Sequence, residues 1–104
     1  MKEVGMYRGG SGWLVVKFKD IAGNTIIPSS SDVVLRVYRP DNTLYASYSG
    51  TNIVVETNGE VRVLVNILDS EIVGVWVAEW IYNDPESGKT FKVEMPFVVS
   101  DVAY

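Results

Sequence analysis

The chain contains no cysteine and no histidine. The first absence excludes a disulfide framework and thiolate chemistry; the second removes the commonest general base and the commonest transition-metal ligand. Positive charge is scarce too, with nine Lys and Arg against thirteen Asp and Glu, a net charge of −4 and no basic run. Nucleic-acid binding is driven by Lys and Arg displacing the counterions of phosphate, so no nucleic-acid partner is expected. Long apolar runs are missing: the richest, Ile72 to Ala78, is far shorter than the roughly 18–20 residues that cross a bilayer, and no membrane association is expected. The opening "MKEVGMYRGGSG" has none of the continuous apolar stretch, about 7–15 residues, of a signal peptide. No Asn stands in an N-x-[ST] acceptor.

What remains is 104 residues, enough for one domain with its own core and too few for two. Short runs rich in Val, Ile, Tyr and Trp alternate with Gly, Asn, Asp and Pro clusters about every ten residues, the pattern of an all-β sandwich or barrel. "WLVVKFK" ends at "DIAGN"; "TIIP" is confined by Pro28 to an edge or a strand end. "VVLRVY" meets "RPDNT", where Pro40 suits the second position of a type I turn, and the chain returns as "LYASYS". "NIVVET" and "EVRVLVNI" flank Asn58-Gly59, the strongest short hairpin signal in the sequence. "VWVAEWIY" and "KTFKVEMPFVV" close the series, giving about seven strands. Residues 1–12, Gly-rich before Trp13, read as a flexible N-terminal arm, and residues 13–104 as the sandwich domain.

Period-two alternation assigns the faces. Phe91, Val93, Met95, Phe97 and Val99 point inward, as do Val61, Val63, Val65 and Ile67, and Val33, Leu35 and Val37. In "GVWVAEWIYN" both faces are apolar. Trp76, Ala78, Trp80 and Tyr82 form the better core face, because Glu79 lies on the other and is costly to bury unpaired. Val75, Val77 and Ile81 then look outward. If Leu14, Val16 and Phe18 go in, Trp13 and Val15 likewise come out.

Candidate chemistry is thin. Gly88-Lys89-Thr90 matches the end of a phosphate-binding loop, but Asn83 stands where that loop needs a glycine and a strand follows where it needs a helix. Asp69 with Glu71, or Asp84 with Glu86, approach the spacing of glycosidase acids or of a calcium site, yet they sit in turns and lack a spaced motif. The tryptophans suggest sugar stacking only if Trp76 and Trp80 face outward; Trp13, Tyr38, Tyr45 and Tyr48 are the other aromatic candidates.

"GWLVVKFKDIAGNTIIP", "DVVLRVYRPDNTLY", the strand pair around "TNGE", "GVWVAEWIYND" and "FKVEMPFVV" together resemble the immunoglobulin-like β-sandwich accessory domains of tailed-phage virions, over about Gly12 to Val99. Paired cysteines of ordinary immunoglobulin domains are absent. The resemblance implies a single antiparallel β-sandwich of about seven strands and a non-enzymatic structural or assembly subunit of a virion, docked on other virion subunits or on itself. It transfers no catalytic, cofactor or metal residue. The partner contacts expected are Met6 and Tyr7 on the arm, Trp13 and Val15 on the first strand, and Val75, Val77 and Ile81 on the tryptophan strand. The alternative is a carbohydrate-binding or host-adhesion module.

Overall fold

The computed structural model describes residues 5–101. Nine strands form: β1 (Gly5–Tyr7), β2 (Ser11–Lys19), β3 (Thr25–Ile26), β4 (Val33–Tyr38), β5 (Leu44–Ser49), β6 (Val54–Val55), β7 (Glu60–Asn66), β8 (Gly74–Asn83) and β9 (Thr90–Ser100). Two short 3-10 turns, Ser30–Asp32 and Gly50–Asn52, are the nearest approach to helix among the described residues. The all-β expectation holds.

The strands make two sheets, ordered β1-β9-β8-β4-β5 and β3-β2-β7-β6. Alternation is obeyed where it was clearest. Val33, Leu35 and Val37 of β4, Val61, Val63 and Val65 of β7, and Trp76, Ala78 and Trp80 of β8 all have no solvent exposure. They join Leu14, Val16 and Phe18 of β2 and Phe97 and Val99 of β9 in one core shared by both sheets. Phe18 meets Tyr82 across it at 5.6 Å between ring centroids. Phe91, Val93 and Met95 pack against the same core while partly exposed, on the part of β9 that has no strand on its outer side, since β1 pairs only with Val98, Val99 and Ser100.

The turns follow their residues. Asn42 N–H bonds the Arg39 carbonyl across Pro40 and Asp41, with Asn42 alone among the described non-glycine residues at positive φ. Thr43 donates both its N–H and its hydroxyl to Asp41 Oδ1, at 3.0 and 2.6 Å, and these bonds lower the Asp41 pKa. At the β6–β7 hairpin Gly59 takes φ 90°; a Cβ there would lie 2.4 Å from the Thr25 methyl. Glycine is required both for the turn and for the passage of β3.

Two expectations are corrected. The first concerns strand number and direction. Among the described residues nine strands form, not about seven, and the larger sheet is mixed because β1 runs parallel to β9, Met6 opposite Val99. The second concerns the arm. Within residues 1–12, positions 5–7 form β1 and Ser11 and Gly12 begin β2; residues 1–4 lie outside the described residues. Met6 is 4% exposed and belongs to the core. Its thioether lies so close to Gly12 that a Cβ there would be 3.0 Å from the Met6 methyl. Burying an unbranched apolar side chain against a glycine notch supplies the anchorage that a Gly-rich segment has no means of providing alone.

Candidate interaction faces

The outer face of the five-stranded sheet is built row by row from strand register. One row carries Ser49, Val34, Ile81 and Lys92; the next carries Ser47, Arg36, Glu79 and Glu94; the third carries Leu44, Tyr38, Val77 and Pro96; beyond it Val75 stands opposite Val98. The second row is ionic. Glu79, its side chain 13% exposed, lies 3.6 Å from Arg36 and 3.5 Å from Lys92. These two cations offset the like charges of Glu79 and Glu94, which sit directly opposite each other and would otherwise repel.

The rows beyond that ionic band are apolar. Val75 is 57% and Leu44 50% exposed, with Tyr38, Val77 and Val98 half-buried beside them. Two open depressions mark this patch: one of about 240 Å³ lined by Tyr38, Asn42, Val77, Glu79 and Glu94, the other of about 80 Å³ between Val75, Pro96, Phe97 and Val98.

The connection between β7 and β8 leads straight into the patch. It exposes Leu68, Ile72 and Val73, yet it is tied down at several points. Trp76 Nε1 donates to the Ile72 carbonyl at 3.0 Å. Arg39 grips Glu71 through Nε–Oε1 at 2.6 Å and Nη2–Oε2 at 3.3 Å, and the carboxylate raises the guanidinium pKa further. Arg8 Nη1 donates to the Glu71 carbonyl. The Tyr45 hydroxyl donates to the Asn66 carbonyl at 2.8 Å and accepts from Leu68 N–H. Tyr45 reaches there because the β4–β5 ladder skips a residue: Val37 pairs with Ala46 and Tyr38 with Leu44, leaving Tyr45 as a bulge. Its ring stands edge-on to Trp76 at 5.1 Å, with Arg39 over its face at 5.2 Å.

On the opposite side of the molecule, the outer face of the four-stranded sheet pairs Trp13 with Leu64 and Val15 with Arg62. Trp13 is 47% exposed, and the Arg62 guanidinium sits 5.2 Å from its ring centroid. Arg62 in turn bonds Glu56 at 2.6 Å.

The seven expected contact residues therefore do not form one site. Met6 is corrected to core. Tyr7 is exposed on edge strand β1. Trp13 and Val15 share the four-stranded face, while Val75, Val77 and Ile81 share the five-stranded one, where the Glu79 row separates Ile81 from the valines. Leu44, Pro96 and Val98 complete the patch and were missed. Alternation in "FKVEMPFVV" already turned Pro96 and Val98 outward, but only register shows that they adjoin Val75 and Val77. Tyr45 and Tyr48, considered as exposed aromatics, are half-buried against the core.

Two of the acids considered for chemistry, Glu71 and Asp84, hold turns and connections in place. Asp84 accepts from the Glu86 N–H and the Ser87 hydroxyl, which lowers its pKa. Gly88, at φ 72°, closes that turn by donating to the Asp84 carbonyl, and Thr90 opens β9. Among the described residues no group of three or more acidic side chains is placed to hold a metal ion. No protein-family model and no curated protein matches the chain.

Proposed function

We propose that this chain is a non-enzymatic structural or assembly subunit, an immunoglobulin-like sandwich of a phage virion, which docks on a multimeric neighbour through the patch around Val75. The topology supports the immunoglobulin-like reading. Taking β2 as strand B, β4 as C, β5 as C′, β6 as D, β7 as E, β8 as F and β9 as G, the sheet orders β9-β8-β4-β5 and β2-β7-β6 correspond to G-F-C-C′ and B-E-D. The buried tryptophans depart from that family by lying on the F strand, with Leu35 on C.

One observation carries the docking reading. Val73, Val75 and Leu44 stay 43%, 57% and 50% exposed on a patch whose backbone is held by a sheet and by the Trp76, Arg39 and Tyr45 anchors. An apolar centre with an ionic margin is the anatomy of a protein interface. Because each of these side chains is already about half-buried, covering it contributes about half of the roughly 1.5–3 kcal/mol of a whole Val or Leu, before the costs of association. The carbohydrate alternative is weaker: Trp76 and Trp80 have no exposed surface, and Arg62 already occupies one face of Trp13.

The test is incorporation. Tagged wild-type chain and Val75→Lys are produced in the cells that make the particles, which are then purified by density gradient. Wild type is expected in the particle fraction; Val75→Lys, with an unchanged melting temperature, is expected to remain outside it. Wild-type chain absent from particles, or a variant incorporated equally well, overturns the proposal.

A further inference from the structure

Asn58-Gly59, which shapes the β6–β7 hairpin, is also the only asparagine in the chain followed by glycine, and that pair carries a chemistry of its own. Asparagine is a thermolabile side chain, and its nearest nucleophile is the amide nitrogen of the next residue, which in glycine no side chain shields. Asn58 is exposed and Gly59 is buried. Asn58 Oδ1 accepts from the Glu60 N–H at 3.0 Å, a donor that polarises the side-chain carbonyl toward attack on its carbon. The nucleophile is held back: the Gly59 N–H donates to the Glu56 carbonyl at 3.0 Å.

We propose that Asn58 is a site of spontaneous deamidation gated by the hairpin, and that its isoaspartyl product displaces β3. The site is independent of the Val75 patch, which lies on the other sheet. When the turn opens, base removes the Gly59 amide proton and the nitrogen lone pair attacks Asn58 Cγ. The new N–Cγ bond closes a cyclic imide as the Cγ–Nδ2 bond breaks, and the side-chain nitrogen leaves as ammonia. Water then opens the imide. Addition at the side-chain carbonyl restores the ordinary main chain with aspartate at this position. Addition at the main-chain carbonyl leaves isoaspartate, in which the main chain runs through Cβ and Cγ and is lengthened by a methylene.

The fold sets both the rate and the outcome. β6 pairs with β7 at Val54 and Val55 and lies at a sheet edge, so the hairpin opens at a cost below that of global unfolding. The proton that exchanges with solvent on opening is the one that must leave before attack. Exchange at Gly59 and deamidation at Asn58 therefore share one gate. The product meets a second constraint. A Cβ on Gly59 would collide with the Thr25 methyl and lie 3.5 Å from the Ile26 carbonyl, so lengthening the main chain beside Gly59 redirects a turn that has no clearance from β3. β3 offers little resistance, having two residues paired with Phe18 and Lys19.

The full chain is incubated at mildly alkaline pH, folded in buffer and unfolded in urea, and conversion is read by mass spectrometry with electron-transfer fragmentation, which separates aspartate from isoaspartate. Conversion is expected at Asn58 ahead of every other asparagine. It is expected to be slower in the folded chain than in the unfolded one by at least about tenfold, a factor similar to the protection of the Gly59 amide against hydrogen exchange. Folded chain carrying isoaspartate, isolated by chromatography, is expected to show a lower urea midpoint and faster exchange within Thr25–Ile26 than unreacted chain. Asn58→Asp adds the same charge and keeps an acceptor for the Glu60 N–H; it is expected to leave β3 protected, so that loss of protection reports the altered main chain. Asn58 left intact in the unfolded chain, equal rates in the folded and unfolded chains, or an isoaspartyl chain whose β3 exchanges as in the unreacted protein each overturns the proposal.

Discussion

Trp76 and Trp80 stand two residues apart on β8, both without solvent exposure, and the difference between them provides the sharpest check on how the candidate patch is supported. Trp76 Nε1 donates to the Ile72 carbonyl at 3.0 Å; Trp80 Nε1 finds only the Met95 sulfur, at 3.1 Å, a weak acceptor. Changing either indole to phenyl removes similar apolar volume. Trp76→Phe additionally removes the bond to the Ile72 carbonyl, which costs about 1 kcal/mol. Trp76→Phe is therefore expected to be the more destabilising of the two by about 1 kcal/mol. Trp76→Ala is expected to lose about 3–5 kcal/mol, since its contacts with Tyr45 and with Phe97, 5.1 and 6.1 Å between centroids, go as well. Against a total of about 5–15 kcal/mol for a domain of this size, that is a large share. Urea unfolding followed by circular dichroism measures all three variants, with a common slope confirming that the unfolded reference is unchanged. Equal costs for the two Phe variants would refute the role given to the Ile72 bond. An undiminished midpoint for Trp76→Ala would refute the core assignment itself.

Met6→Ala is expected to lower stability by about 2–4 kcal/mol, because the side chain fills core space beside Gly12; an unchanged urea midpoint would return this segment to the status of an arm. Burial raises the pKa of Tyr82, and of Tyr48, above the ordinary 10.0. Unfolding returns each hydroxyl to that lower value, so the unfolded chain gives up protons that the folded chain keeps. Stability is complete below about pH 10 and falls as pH rises beyond it; urea midpoints at pH 9 and 10.5 should show the fall, and Tyr82→Phe should reduce it.

Alternation made most of the core legible. In β4, β7 and β9 one face is apolar and the other polar enough that a one-residue slip would bury Arg36, Arg62 or Lys92, so face assignment needs no knowledge of the partner strand. Glu79 played the same part in β8 and correctly sent both tryptophans inward. β1 was not legible for the opposite reason. Three residues are too few to show a period, and their two supports, the edge of β9 and the notch at Gly12, lie respectively at the far end of the chain and on the next strand. The Tyr45 bulge was likewise hidden, since "LYASYS" reads as regular until the turn geometry at Asp41 to Thr43 sets the register.

The candidate site exposes a different limit. Outwardness is a property of one strand, and Val75 and Val77 could be assigned from their own neighbours. Contiguity is a property of several strands at once. Val75, Val77 and Ile81 lie on one face with identical spacing rules, yet Glu79, Arg36 and Lys92 form an ionic band across the sheet that isolates Ile81 from the other two. The patch instead extends sideways through Pro96 and Val98 on β9 and through Tyr38 and Leu44 on β4 and β5.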